Sequence, residues 1–130
     1  MQKLTKNRSL MQSNEYKYFA EEEFTKCTPP CKLSDMDRDF MLRLDGLRAA
    51  CGFPFVLNSA YRSELYELNK GRSATSYHCQ GRAVDVRCYD GVKRAKIVHY
   101  APAFGLRGLG ISSRYIHLDD RDYNCIWAYD

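Results

Sequence analysis

The ten residues from Ser76 to Asp85 constrain this chain more than any other stretch. His78 and Asp85 lie seven residues apart, and Gly81 between them allows a tight backbone turn. His78 can therefore end a loop while Asp85 sits on the strand that follows, because Ala83, Val84 and Val86 give that segment strand character. An imidazole and a carboxylate are both groups that zinc accepts. One of each does not make a metal site, so a third ligand must come from elsewhere in the chain. His117, within the stretch Arg114 to Asp119, is the candidate.

The length of 130 residues suits one domain with a core that needs no disulfides. Residues 1–15 are polar and without period and read as a loose arm, which leaves 16–130 as a single domain. No run approaches the length of a membrane span. The first fifteen residues hold no apolar stretch followed by a small-residue cleavage site, so no signal peptide is visible and synthesis in the cytoplasm is expected. Without an export signal, the six cysteines read mainly as free buried thiols rather than a disulfide framework. The net charge of +4 is scattered over both signs and is too weak to indicate nucleic acid. No nucleic-acid partner is expected, and the chain is expected to act as a monomer.

Taken in order, Tyr16 to Phe19 reads as a short strand leading into a helical turn over Glu21 to Phe24, with Phe19 and Phe24 as anchors. Pro29 and Pro30 break that turn between Cys27 and Cys31. That pair reads as a turn carrying two thiols or a local disulfide, and as half a zinc site only if a second close Cys/His pair existed, which the sequence lacks. Ser34 is the expected start of the clearest helix, with Asp37 completing a capping-box pattern. Phe40, Leu44, Leu47 and Cys51 repeat at helical spacing as one apolar face, and Gly52 and Pro54 end it. Phe53 to Leu57 reads as a buried strand, Ser63 to Asn69 as a short helix, and Val92 to Ala103 as a helix weakened by Pro102. Leu106 to Ile111 and Tyr115 to Asp119 read as antiparallel partners, and the tail from Tyr123 to Tyr129 as an edge strand carrying the single tryptophan. The fold class is α+β, a small antiparallel sheet with helices packed on it.

Alternation along a strand puts Tyr115, His117 and Asp119 on one side. His78, Asp85 and His117 then form a three-ligand zinc set with the fourth position open, as catalytic zinc requires. Bound zinc lowers the pKa of its water to about 7 and polarises a carbonyl, and a carboxylate is needed to move the water's proton. Asp119 is the choice for that role. Arg62, just past a strand end and flanked by Ser59, Tyr61 and Ser63, can hydrogen-bond a carboxylate or a developing oxyanion. Ser76 can hold the terminal carboxylate of a peptide. Plainer readings exist. Asp85 can pair with Arg82 or Arg87, Asp119 can be a solvated acid, Arg62 an ordinary helix-start arginine, and His99 an ordinary helix residue.

The chain resembles the zinc D-alanyl-D-alanine carboxypeptidases and the L-alanyl-D-glutamate endopeptidases of phage endolysins, within a fold group that includes the hedgehog signalling domain. The family pattern Ser-x-His-x-x-Gly-x-Ala-x-Asp is matched by Ser76, His78, Gly81, Ala83 and Asp85. The upstream block of Ser-Gly-Tyr-Arg-Ser is matched by Ser59, Tyr61, Arg62 and Ser63, with Ala60 in place of the glycine and Asn69 following. The later histidine-x-aspartate strand is matched by His117 and Asp119 after a glycine-rich approach, and the opening by Tyr18, Phe19, Glu23, Phe24 and Cys27. The resemblance implies that His78, Asp85 and His117 bind zinc, that Arg62 stabilises the transition state, and that Ser76 helps bind the substrate's carboxyl end. It implies hydrolysis of the peptide stem of bacterial peptidoglycan, by an endolysin-type endopeptidase or a D,D-carboxypeptidase acting on the cell wall once released. Two departures stand out. Many members carry the catalytic acid where this chain has Arg114, and some relatives have a histidine where it has Tyr115. These leave the base open between Asp119, Asp120 and none, and keep a second expectation alive: an inactive zinc-containing module that binds the wall.

Overall fold

A computed structural model of the chain describes residues 15–129 and shows the expected α+β architecture. In chain order the elements are α1 (Glu21–Thr25), α2 (Arg38–Cys51), β1 (Leu57–Ser59), α3 (Glu64–Asn69), β2 (Ala83–Arg87), α4 (Gly91–Tyr100), β3 (Gly108–Ile111), β4 (Tyr115–Asp119) and β5 (Cys125–Ala128). Short 3-10 turns occupy Leu33–Asp35, Tyr77–Gln80 and Ala101–Phe104. The expected arm over residues 1–15 lies outside the described residues apart from Glu15, whose carboxylate meets Arg38 at 3.0 Å. Among the described residues, no helix is long and apolar enough to cross a membrane.

The helix α2 carries the apolar face read from its spacing. Phe40, Leu44, Leu47 and Cys51 are buried, and Met41 joins them. Each large side chain so buried contributes roughly 1.5–3 kcal/mol relative to exposure, well above the few tenths per residue, about 0.7 at most, that separate ordinary helix propensities. The start of the helix differs from the expectation. Asp37, not Ser34, is the cap, its carboxylate accepting the Phe40 amide at 3.0 Å. Ser34 lies instead in the first 3-10 turn, which Asp35 closes by accepting the Lys32 amide at 2.9 Å. The far end matches, because Gly52 takes a left-handed φ of 79°.

Two strand expectations also shift. Tyr16 to Phe19 forms no strand, because the Lys17 and Tyr18 amides both donate to the Asp45 carboxylate at 2.8 Å and so need no ladder partner. Phe19 and Phe24 are nonetheless buried as anchors, their rings 6.1 Å apart. The strand placed at Phe53 to Leu57 begins only at Leu57. Pro54 has no amide for a ladder, and Phe53 and Phe55 contribute by ring packing at 5.6 Å instead.

The sheet runs β1-β2-β4-β3-β5. Its first four strands are antiparallel, as expected, while β5 pairs parallel to β3, so the sheet is mixed. The reason is positional. Both edges of β4 are already taken by β2 and β3, and the chain that reverses after β4 docks on the free edge of β3, pointing the same way. Register separates two faces. Val84 faces Leu118 and Val86 faces Ile116 across β2 and β4, and these four are buried in one cluster with α2 and α4 residues. The intervening residues Asp85 and His117 are direct cross-strand partners and must project from the opposite face.

Gly81 joins the two halves of the Ser76–Asp85 stretch. Its φ of 69° is left-handed, and its carbonyl accepts the Asp37 amide at 2.9 Å, tying the turn to the start of α2. A Cβ there would collide with the Asp35 carbonyl and approach Asp37 N and Met36 Cα at 2.9 Å, all backbone that cannot swing aside. Gly81→Ala is therefore expected to destabilise the protein by on the order of 2 kcal/mol or more, read as a lowered urea midpoint at unchanged m-value.

Candidate metal centre

Four pieces of backbone deliver the site. Ser76 caps the Tyr77–Gln80 turn, its hydroxyl oxygen accepting the His78 amide at 3.1 Å. That turn swings His78 under the loop after β1, where its Nδ1 lies 2.6 Å from the Ala60 carbonyl oxygen. A carbonyl only accepts, so Nδ1 must carry the proton and Nε2 is left as a bare lone pair. This Nε2 is buried, has no hydrogen-bond partner, and lies 3.4 Å from Asp85 Oδ1. From β4, His117 places Nδ1 3.3 Å from the same Asp85 oxygen and Nε2 2.7 Å from Asp119 Oδ2.

The donor set fits a zinc ion. One atom from each of His78, Asp85 and His117 lies within 4.8 Å of the others. Two ligands at about 2.0 Å from a tetrahedral zinc stand about 3.3 Å apart, close to the 3.4 and 3.3 Å separations from Asp85 to the two rings. Electrostatics agree. Burial alone would raise the Asp85 carboxyl, yet the His117 and His78 rings beside it hold it well below the usual carboxylate range. Burial would likewise lower His117, but Asp119 and Asp85 beside it win and raise it. A place that draws a proton between two carboxylates is a place suited to a cation. Among the described residues this is the one group of three such side chains with metal-holding geometry.

Asp119, expected as the base, has both carboxylate oxygens engaged. It is fully buried, and its oxygens receive His117 Nε2 at 2.7 Å and Arg121 Nε and Nη2 at 2.8 and 2.7 Å. Burial would raise its carboxyl, and Arg121 followed by His117 reverses that, holding it well below the usual range. It is absent from the cavity wall. Asp120 is equally committed, to Arg82 at 2.7 Å. His78, Asp85 and His117 open instead into a cavity of about 430 Å³ shared with Asn58, Arg62, Arg72, Ser76, Tyr115 and Tyr129. Arg62 is held there by Glu67 at 3.0 Å, Ser59 at 2.8 Å and Asp85 at 3.4 Å. The plainer readings of these residues therefore do not apply: Asp85 pairs with rings and Arg62, while Arg87 turns to Asn58 at 3.3 Å. His99, by contrast, is an exposed helix residue against Tyr100. Cys27 and Cys31 are buried free thiols, Cys27 Sγ 3.4 Å from the Glu23 carbonyl and Cys31 Sγ 3.7 Å from the Phe24 carbonyl.

The glycine-rich approach now has a physical meaning. Cβ atoms at Gly108 would strike Asp119 and Arg121, and at Gly110 would meet Tyr129 and Trp127 at 2.7 and 2.8 Å. These bare positions on β3 let the carboxylate–arginine pair and the two rings close over His117, whose ring lies 5.3 Å from Trp127. Arg121 is in turn stacked over Trp127 at 4.8 Å and Tyr77 at 5.0 Å. Sequence reasoning missed Glu67, Arg72, Arg121 and the Ala60 carbonyl. The last is backbone and invisible to any motif. Arg121, two residues past Asp119 and packed against the bare Gly108, carried a readable signal.

Residues 17–119 match a protein-family model described as Peptidase M15. No curated protein sequence matches the chain. Because Asp119 fixes the ring and tautomer of His117, Asp119→Asn is expected to weaken zinc binding about tenfold or more, measured by competition with a chelator. Asp120→Asn, which touches Arg82 instead, is expected to leave the affinity within twofold, a difference of about 0.4 kcal/mol.

Proposed function

Because the chain belongs to the peptidase M15 family, whose members depend on zinc, we propose that it hydrolyses peptide bonds in the peptidoglycan stem, as an endolysin-type endopeptidase or a D,D-carboxypeptidase. The observation that carries this reading is the convergence of His78 Nε2, Asp85 and His117 Nδ1 at the floor of an open cavity. When bound there, zinc supplies an acidified water and a polarised scissile carbonyl.

The chain's own residues do the rest. Asp85 brings the negative charge of the ligand set, and two neutral imidazoles complete it. Ala60 and Asp119 hold those imidazoles in the tautomers that present lone pairs inward. Arg62, locked by Glu67 and Ser59, presents its guanidinium to the oxygen on which charge develops, without reorganising at the moment of reaction. The Ser76 oxygen already accepts the His78 amide, which leaves its O–H to donate to a substrate carboxylate. Asp119 acts through His117 as a positioning residue. Tyr115 stands on the cavity wall two residues before His117. Burial raises its phenol, with Tyr129 adding to the effect, so at neutral pH it stays protonated and can give a proton to the leaving amine.

One observation favours a second reading, a zinc-containing module that binds wall peptides without cutting them. Among the described residues, no carboxylate lines the cavity except Asp85, a metal ligand. Incubating the zinc-loaded protein with purified peptidoglycan separates the two. The peptidase reading expects new amines or released D-alanine, their loss in His78→Ala, and a drop of about 10²-fold in kcat for Arg62→Ala. Activity that survives His78→Ala overturns it, and tight wall binding without any hydrolysis establishes the second reading.

A further inference from the structure

One of the two fully buried carboxylates beside the cavity touches neither histidine. Glu67, on α3, is fully buried, and an ionised carboxylate in that position is costly unless fixed positive charge surrounds it. Two arginines do so. Arg62 Nε lies 3.0 and 3.1 Å from its oxygens, and Arg72 Nε lies 2.8 and 3.0 Å from them. The Arg72 amide also donates to the Glu67 carbonyl at 2.8 Å, so both backbone and side chain of Arg72 are held.

The two guanidinium groups are not equivalent. Arg62 is nearly enclosed, its Nη1 bonded to Ser59 and Asp85. Arg72 is about half exposed at 48 %, lines the same cavity, and lies over the Tyr66 ring at 5.9 Å. An arginine needed only to neutralise Glu67 need not stand on the cavity wall, and Arg72 does. Charge points the same way. Arg62 and Arg72 balance Glu67 and Asp85, so the cavity is neutral until a divalent cation is added. Two positive charges are then unmatched, and a ligand with two carboxylates balances them.

Resting on the peptidase reading for the identity of the ligand, we propose that Arg72 is a carboxylate-recognition residue. Anchored through Nε by Glu67, it offers its terminal N–H groups to a second carboxylate of the bound peptide, so that the cavity selects acidic peptides over their amides. A guanidinium fixed in this way is pre-organised for a planar, two-point contact that an ammonium cannot reproduce. The second carboxylate has two possible sources, a free carboxylate on an internal acidic residue such as D-glutamate, or the peptide's own C-terminus.

The test is calorimetric titration of the zinc-loaded full chain with three short peptides identical except for charge. One keeps both carboxylates, one carries D-glutamine in place of D-glutamate, and one has an amidated C-terminus. One of the two amides is expected to bind the wild type about tenfold more weakly than the parent, which identifies the carboxylate that Arg72 reads. Arg72→Gln is expected to abolish that difference. Arg72→Lys, which keeps a positive charge beside Glu67 and so guards against misfolding of the glutamine variant, is expected to reduce it severalfold. The proposal is overturned if the wild type binds all three alike or binds none. It is equally overturned if Arg72→Lys, folded, keeps the full discrimination or if folded Arg72→Gln does. Assaying the same mixtures for new amines keeps the two readings apart. Hydrolysis without carboxylate discrimination defeats this inference alone, and discrimination without hydrolysis defeats only the peptidase reading.

Discussion

The pairing of β2 with β4, in the register that sets Asp85 opposite His117, is the constraint on which the remaining structure rests. Side chains alternate along a strand, so this register sends Val84, Val86, Ile116 and Leu118 into the core and the carboxylate and imidazole out of the other face. A slip of one residue would exchange the two sets, burying charge among leucines and exposing the core. The apolar face thus protects the polar one. The packing of α2 against the sheet, which has no contact with the chemistry, is what makes the metal-ligand geometry a low-energy state rather than one of several.

Around that pair, two fully buried carboxylates do parallel work on opposite sides of the cavity. Asp119 takes the far nitrogen of His117 and is neutralised by Arg121. Glu67 takes Arg62 and Arg72. In each case a carboxylate removed from water is stable only because its partners are fixed, and fixing them is the consequence that matters for function. Asp119 sets which nitrogen of His117 faces the cavity, and Glu67 sets where two guanidinium groups stand. Backbone completes the scheme through the Ala60 carbonyl, which orients His78 as Asp119 orients His117.

Much of this was legible in the chain. The four-residue rhythm of Phe40, Leu44, Leu47 and Cys51 marked a buried helix face, because burial on one side of a helix leaves that rhythm and little else does. Gly81 marked the turn between His78 and Asp85, and the alternation in β4 placed His117 and Asp119 on one side. Local capping was harder. Ser34 and Asp37 both carry oxygens able to cap, and the choice fell to Asp37 because its amide has a partner in the distant Gly81 carbonyl. The strand expected at Tyr16 failed for a similar reason, since Asp45 satisfied its amides from 28 residues away. The direction of β5 depended on which sheet edge remained free after β4 had closed on both sides.

By itself, the sequence determined the fold class and the helix face, and it offered His78 and Asp85 with His117 as candidates to share one cation; the first two follow from periodicity and residue type at short range, while bringing His117 to the pair took the pairing of β2 with β4. The work of each polar group was decided only in three dimensions. Asp119 sits on the expected side of its strand, yet Arg121 and the bare Cα position of Gly108 close over it, and it is absent from the cavity wall. Whether a carboxylate moves protons or holds an imidazole depends on which donors reach it and whether water can, and those are properties of packing between segments far apart in the chain.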